Sequence, residues 1–430
     1  MQLSSYLKSW PWPDNPEFRL LFSTKSAAIA LVPQAMFSRL EQGLEIPAAQ
    51  AENLAALGLL VADRQAERIA TWNMPAELNR LNPALTVAVI LGLACNFSCI
   101  YCYEGSMKDG RAMDDATAAQ LVLFLMELYI KRQKRKLELD FYGGEPLLYP
   151  GRIMELAASL KPFIEAQGGR FAFSLVTNGS LLTPALVNKL LPLGLQSIKI
   201  TVDGPAAVHD QQRPFVGGRP SHALILRNIA ACCDLVKISV GGNFTRDNYL
   251  EFPKLLDQFL AMGLTPARLS LVKFDPAMQV ADAFANHEFR AGCNTSSEPW
   301  VAAAFPFLRG EIMRRGFKTP KITPCNCMVD ITDAMTVDHD GQRYKCPSLI
   351  GHAGYAAGNI SQGLSEANGC RPQHWRQEEK CRACAYLPLC FGGCRYLQLQ
   401  RNGTMDGVDC QQPFLDRALE TLVRQDCGKG

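Results

Sequence analysis

The chain lacks a strong charge bias, lacks any long hydrophobic run, and has no cysteine before Cys95. Its 44 Lys+Arg against 41 Asp+Glu leave a net charge of +3 over 430 residues. That field is too mild to make nucleic acid the expected partner. No stretch of 18 apolar residues occurs, which argues against a membrane-spanning helix. The opening residues, Met1-Gln2-Leu3-Ser4-Ser5-Tyr6-Leu7-Lys8, show no apolar core followed by a small-residue cleavage site, so a secretory signal is not expected. The expected compartment is the cytoplasm. What the chain has in quantity is cysteine. There are 16, and eight of them fall between Cys325 and Cys394. In a reducing compartment such clustering reads as metal ligands or catalytic thiols before disulfides. The length, with 48% hydrophobic and 20% charged residues, suits two or three globular domains.

The stretch Cys95-Asn96-Phe97-Ser98-Cys99-Ile100-Tyr101-Cys102 sets three cysteines at C-x3-C-x2-C spacing, with an aromatic before the third. Three thiolates on one loop can hold three irons of a [4Fe–4S] cubane. The fourth iron then has no nearby protein ligand and is open to a small molecule, as on other catalytic metals. A structural zinc or three buried thiols is the plainer alternative for the triple taken alone.

The rest of the chain divides around this loop. Over residues 1–80, Phe18–Phe22 and Ala27–Val32 read as a hairpin. Pro33 opens a helix through Leu40, a second helix spans Pro47 to Leu57, and Leu59-Leu60-Val61 forms a short strand. Together these suggest a small α+β, winged-helix-like module. Pro and Asn residues between Asn73 and Pro83 suggest a linker. From residue 85, strands alternate with helices, as in βα units around a parallel sheet. The apolar run Leu85–Leu91 fits a strand buried on both faces. Further strands are expected at Leu137–Tyr142, Phe171–Val176, Ser197–Val202, Val236–Asn243 and Arg268–Phe274, with Asp115 capping the helix before the second. Residues 276–320 show no clear periodicity. The tail from Pro413 reads as a closing helix, with Leu415, Leu419 and Leu422 on one face.

Several strand ends carry motifs. The second ends in Gly143-Gly144-Glu145-Pro146, where two glycines let backbone approach a ligand and carbonyls plus a carboxylate suit an ammonium group. Thr177-Asn178-Gly179 closes the third. Thr201-Val202-Asp203-Gly204 closes the fourth, with His209-Asp210 and Arg213 just beyond. The cysteine triple and these loops together resemble the radical S-adenosylmethionine (SAM) enzymes. The resemblance implies a partial (βα)6 barrel over residues 84–315. It implies a SAM-chelating cluster on Cys95, Cys99 and Cys102, which when reduced cleaves SAM to a 5′-deoxyadenosyl radical. It also implies that Gly143, Gly144, Glu145 and Pro146 hold the SAM amino group. Thr201 and Arg213 are the candidates for its carboxylate, and Asn178, Asp203 and Asn243 for ribose or loop support. Thr201 stands where serine is usual and keeps the hydroxyl.

A second constellation follows. Cys381-x2-Cys384-x5-Cys390-x3-Cys394 precedes Cys410, with Cys325, Cys327 and Gly341-x4-Cys346 upstream. Zinc ribbons also use C-x2-C pairs, but this spacing resembles the SPASM extension of radical SAM enzymes that act on peptides, here over residues 320–412. That resemblance implies two auxiliary [4Fe–4S] clusters, hence three in all. Cys325, Cys327, Cys346 and Cys394 would hold the first auxiliary cluster, and Cys381, Cys384, Cys390 and Cys410 the second. Cys325-x-Cys327 is a tight pair for one cubane, so one of the two can fall outside the set and leave an open iron. Cys232, Cys233, Cys293, Cys370 and Cys427 remain. Most of them read as small buried hydrophobes, though Cys370 could substitute as a ligand.

The leading reading is therefore an oxidative radical SAM/SPASM enzyme that cross-links a ribosomally made precursor peptide, by a thioether or carbon–carbon bond. The segment Tyr344–Gly351 resembles such maturases, the geopeptide type among them. A small electron donor such as ferredoxin or flavodoxin would serve it. The N-terminal module loosely resembles peptide-recognition domains, and a packing extension is the alternative. Formylglycine formation on a sulfatase is the second reading, but that group carries an aspartate where this chain has Pro347. A non-catalytic zinc-rich binding protein is the third. No catalytic acid or base is identified.

Overall fold

The computed structural model describes residues 1–280, 289–363 and 373–428. The N-terminal unit contains β1 (Gln2–Leu3), β2 (Leu7–Pro11), β3 (Phe18–Ser23), β4 (Ile29–Pro33) and β5 (Leu60–Val61). Strands β2, β3 and β4 form an antiparallel sheet, while β1 pairs with β5. Helices Gln34–Glu41 and Ala48–Ala56 lie close to their expected positions. The expected linker is instead most of a third helix, Arg64–Leu81, with Pro75 inside it. Asp63 caps that helix by accepting from the Gln65 and Ala66 amides, which fixes its start, and Pro75 is buried within it.

The central sheet has eight strands. β6 (Ala84–Ile90), β7 (Lys136–Tyr142), β8 (Arg170–Thr177), β9 (Leu195–Thr201), β10 (Lys237–Phe244) and β11 (Leu269–Pro276) run parallel in sequence order. Each lies within two residues of its expected span. β6 is buried at six of its seven positions, the signature of a strand covered on both faces. The sheet continues past β6: β12 (Ala334–Val337) adds parallel to it, and β13 (Arg343–Tyr344) pairs antiparallel with β12. The cysteine-rich region is thus hydrogen-bonded onto the β6 edge of the parallel strands.

Two local readings are corrected. The cap of helix Asp115–Lys131 is Asp114, whose carboxylate accepts from the Thr117 amide, and Asp115 pairs with Arg152 at the helix start. Residues Pro299–Arg314 form a helix that buries Val301, Ala302, Ala304, Leu308 and Ile312. Pro306 within it obscured the periodicity. The closing helix is Gln412–Asp426, with Leu415, Leu419 and Leu422 buried as expected. Trp12, Leu20 and Phe22 of the N-terminal unit share a core with Tyr386, Leu389 and Leu419, and the Thr24 hydroxyl donates to the Ala385 carbonyl at 2.6 Å. Among the described residues, no helix is long and apolar enough to cross a membrane.

Candidate active site

The carboxyl ends of β6 to β11 surround a cavity of about 280 Å³. Parallel α/β sheets place their ligands at this end, because the loops there are free of the sheet while the strands hold them rigidly. Cys95, Cys99 and Cys102 all line the cavity. Their loop is held on both flanks. Ser98 N donates to Pro214 O and Ile100 N to Gln212 O, each at 3.0 Å. Asn178 Nδ2 donates to Asn96 Oδ1 at 2.8 Å, and Asn96 Nδ2 to Ser180 Oγ at 2.9 Å. Burial pushes the Cys102 thiol up to about 12, with Lys108 opposing it.

The glycine loop fits the same purpose. Gly143 has φ +114°, and a β-carbon on Gly144 would lie 2.2 Å from Ala94 O and 2.4 Å from Leu93 O. Only glycine allows the loop after β7 to lie on the backbone of the cysteine loop. Glu145 sits behind the wall, fully buried. Its Oε1 accepts from Leu147 N at 2.9 Å and Thr177 Oγ1 at 2.6 Å, and its Oε2 from Asn178 N at 2.8 Å. The carboxylate thus ties the ends of β7 and β8 together, while Gly143 and Gly144 face the cavity. Pro146 is buried outside it.

Asn178, Thr201, Arg213 and Asn243 line the cavity. Asp203 is fully buried beneath it. Its carboxylate contacts Tyr101 Oη and accepts from the Asn243 amide at 2.7 Å. Arg213 Nη1 donates to Tyr101 Oη at 2.7 Å and Asn243 Nδ2 to the same oxygen at 3.1 Å. The aromatic before the third cysteine is therefore the hub of this network. Arg213 Nε is buried without a partner, which leaves one guanidinium donor for an anion in the cavity. His209 accepts from Asp203 N through Nδ1 at 3.0 Å and meets Ser221 Oγ at 3.1 Å, a structural role.

Sequence reasoning missed the opposite wall, made of Tyr103, Glu104, Lys108, Tyr142, Met278 and Ser348. Glu104 directly follows Cys102-Tyr103, the one local signal available. It is buried, its Oε1 has no partner, and burial pushes its carboxyl up to about 7 against the pull of Lys108. Tyr103 Oη lies 2.9 Å from Tyr142 Oη. Asp338 and Asp340 do not line the cavity. Asp338 accepts from the Gln342 and Asp340 amides, and Asp340 pairs with Arg111 at the surface.

The remaining cysteines form two groups. Cys381, Cys384, Cys390 and Cys410 line one small cavity. Cys327, Cys346 and Cys394 pack together against the core of Ile90, Leu93, Tyr344 and Leu349. Cys325, expected with them, is exposed and lines a different cavity, beside Leu389 and Phe414. Cys232, Cys233 and Cys293 are buried, as expected for small hydrophobes, whereas Cys427 is exposed. Cys370 lies outside the described residues. Among the described residues, no three His, Cys, Asp or Glu gather around a single metal-ion position. A cubane is held at its corners, so its thiolates stand farther apart than those around one ion. Three thiols, a glycine cradle and an unpaired guanidinium donor in one cavity suit such a cluster with a small zwitterion beside it.

Comparison with known proteins agrees with this geometry. Residues 89–258 match the model of the radical SAM superfamily. The chain is 32% identical over 338 residues to a serine-type anaerobic sulfatase-maturating enzyme of Klebsiella pneumoniae, covering 71% of this chain and 80% of that one. It is 25% identical over 352 residues to the mycofactocin maturase MftC of Mycobacterium tuberculosis (strain ATCC 25618 / H37Rv), covering 76% and 83%. Two solved structures share the fold. Native anSMEcpe with bound AdoMet and Cp18Cys peptide gives a TM-score of 0.60 at 19% identity, covering 80% of this chain and 99% of that one. Streptococcus suis SuiB bound to precursor peptide SuiA gives 0.56 at 13%, covering 95% and 98%. The chain belongs to the radical SAM superfamily. Membership implies SAM and one [4Fe–4S] cluster.

Proposed function

We propose that this chain is a SPASM-type radical SAM enzyme that oxidatively cross-links a ribosomally made peptide. The observation that carries the reading is the pairing of the cavity with the cysteine groups behind it. Tyr142 and Met278 line the cavity and pack against the same apolar core as Cys327, Cys346 and Cys394. A cluster held by that cysteine group would supply an electron acceptor next to the cavity. Bound SAM, with the reduced cluster on Cys95, Cys99 and Cys102, supplies the hydrogen-abstracting radical. Gly143 and Gly144 present backbone to the SAM amino group. Arg213 and Thr201 face its carboxylate, and Asn178 and Asn243 its ribose. Tyr101 and Asp203 keep Arg213 and Asn243 aimed. Glu145 locks the loops. Cys381, Cys384, Cys390 and Cys410, which line one small cavity, would hold the second auxiliary cluster. The N-terminal unit, winged-helix-like in its small sheet and three helices, recognises the precursor peptide. The chain works in the cytoplasm with a small reductant of the ferredoxin or flavodoxin class.

Formylglycine formation is the second reading, favoured by the 32% identity to the sulfatase-maturating enzyme. Against it, Pro347 follows Cys346 where an aspartate base would stand, and neither Asp338 nor Asp340 reaches the cavity. Anaerobic co-expression with a short peptide encoded beside the gene separates the two. Loss of two hydrogens per site, dependent on Cys95 and with residues linked on fragmentation, supports cross-linking. Conversion of a Ser or Cys side chain to an aldehyde supports the second reading. Zinc in place of iron, with no absorbance near 400 nm, would return the chain to a binding role.

A further inference from the structure

We propose that the N-terminal unit completes the second auxiliary site: Tyr6, Thr24 and Trp72 are positioning residues that hold the loop of Cys381, Cys384 and Cys390 in place and keep water from the cluster it carries. The inference rests on the iron–sulfur reading of these cysteines. It gives the unit a second role that needs no peptide. Tyr6 and Cys381 belong to one buried core with Trp375, and Trp72, Cys384 and Cys410 pack against that core. Burial pushes the Tyr6 hydroxyl up, and Cys384 is among the charges that act on it. From the helix Arg64–Leu81, Trp72 meets Trp375 edge-on, with ring centroids 4.8 Å apart. Trp375 in turn backs the cysteine cavity: Gly392 lines that cavity, and a β-carbon on it would lie 2.8 Å from Trp375 Cβ. The main chain of the loop is gripped as well. Thr24 is fully buried, and its Oγ1 donates at 2.6 Å to the carbonyl of Ala385, the residue after Cys384. Lys8 Nζ lies 4.2 Å from the centre of the Tyr386 ring. Arg376 closes the contact from the other side, with Nη2 donating to Trp72 O at 2.9 Å.

The loop needs such support. Its regular structure is two helices of four residues each, Glu379–Arg382 and Leu387–Cys390, and helices this short have little stability of their own. What packs on the loop therefore sets where its thiols stand. The same cover sets solvent access, and burial is one of the levers on the potential of an iron–sulfur cluster. A thiolate-held cubane gains negative charge when it is reduced. Water favours the more highly charged form, so opening the cover raises the midpoint potential.

The test uses the full chain with Cys95, Cys99 and Cys102 replaced by alanine, so that only auxiliary iron remains, loaded anaerobically with iron and sulfide. The readouts are an EPR-monitored redox titration and the rate at which bathophenanthroline disulfonate takes up iron. Adding Cys390→Ala identifies the signal of the second cluster as the one it removes. Trp72→Ala is expected to raise the midpoint of that signal alone and to speed release of its iron roughly tenfold or more, because loss of apolar cover lowers the cost of local opening. Thr24→Val, which removes the hydroxyl that holds Ala385 O, is expected to move both readouts the same way. Trp72→Phe is expected to bring them back towards the parent chain. Ile69→Ala, on the same helix but at a side chain 54% exposed, is expected to change neither. Unchanged midpoint and release in both Trp72→Ala and Thr24→Val overturn the proposal. So does a change shared equally by both clusters, which marks general loosening of the chain. If the parent chain holds no iron, or Cys390→Ala removes none, the iron–sulfur reading itself falls.

Discussion

Replacing Gly144 with alanine tests the packing on which the site depends. A β-carbon at this position meets Ala94 O at 2.2 Å and Leu93 O at 2.4 Å. Both are main-chain atoms of the cysteine loop, so no rotamer change relieves the clash. The two loops have to part by roughly 1 Å, a displacement that next to reacting atoms lowers rates about 100-fold. Overpacking of this kind costs about 1–3 kcal/mol in stability. Gly151, at the start of helix Pro150–Ala166, is the matched control, since nothing lies within 4 Å of a β-carbon there. Gly151→Ala is expected to hold or raise stability by up to about 1 kcal/mol. The assays are denaturant unfolding of the metal-free chain and SAM affinity of the iron-loaded enzyme. A Gly144→Ala chain that unfolds at the wild-type midpoint and binds SAM normally would refute the reasoning, because the loop contact would then be loose.

Three further outcomes follow from buried networks. Tyr101→Phe removes the oxygen shared by Asp203, Arg213 and Asn243; a loss of about 1–3 kcal/mol is expected, with weaker SAM binding and unchanged iron content. His209 is held well below its usual 6.5, chiefly by burial and next by Arg213, so below pH 6.5 the unfolded chain takes a proton that the native one refuses. Stability should therefore fall with decreasing pH by up to about 1.4 kcal/mol per unit, and His209→Gln should flatten that acid limb in urea titrations. Asp330→Ala removes the carboxylate partner of Arg395, which also meets His374 and follows Cys394, within a pair whose side chains are 0% and 3% exposed. About 3–5 kcal/mol should be lost, read as a lowered unfolding midpoint.

The parallel sheet was legible because its strands are rich in apolar residues and end in polar ones, as Leu85–Leu91 does, and because cysteine spacing survives without tertiary knowledge. Where the reading missed, a tertiary cause outranked a local signal. Asp63 starts a helix that carries through Pro75, and the apolar face of Pro299–Arg314 is interrupted by Pro306. Most of the far wall of the cavity was invisible because Met278 and Ser348 come from loops far along the chain from Glu104, which alone sits beside the cysteine motif. Glu145 shows the converse. Its motif marked the right loop, but its carboxylate turns inward to the Leu147, Thr177 and Asn178 donors, a detail that spacing does not encode. The continuation of the sheet by β12 was hidden by its length, four residues with no repeating pattern.

The central claim is that the Cys95, Cys99 and Cys102 loop, under its glycine cradle, supports reductive cleavage of SAM. The direct measurement is 5′-deoxyadenosine released from SAM by the anaerobically iron-loaded, dithionite-reduced chain, compared with single alanine variants of those three cysteines. Release by the wild type and none by any of the three variants is expected. Equal release from wild type and variants, or none from a wild type that holds its full iron, would contradict it.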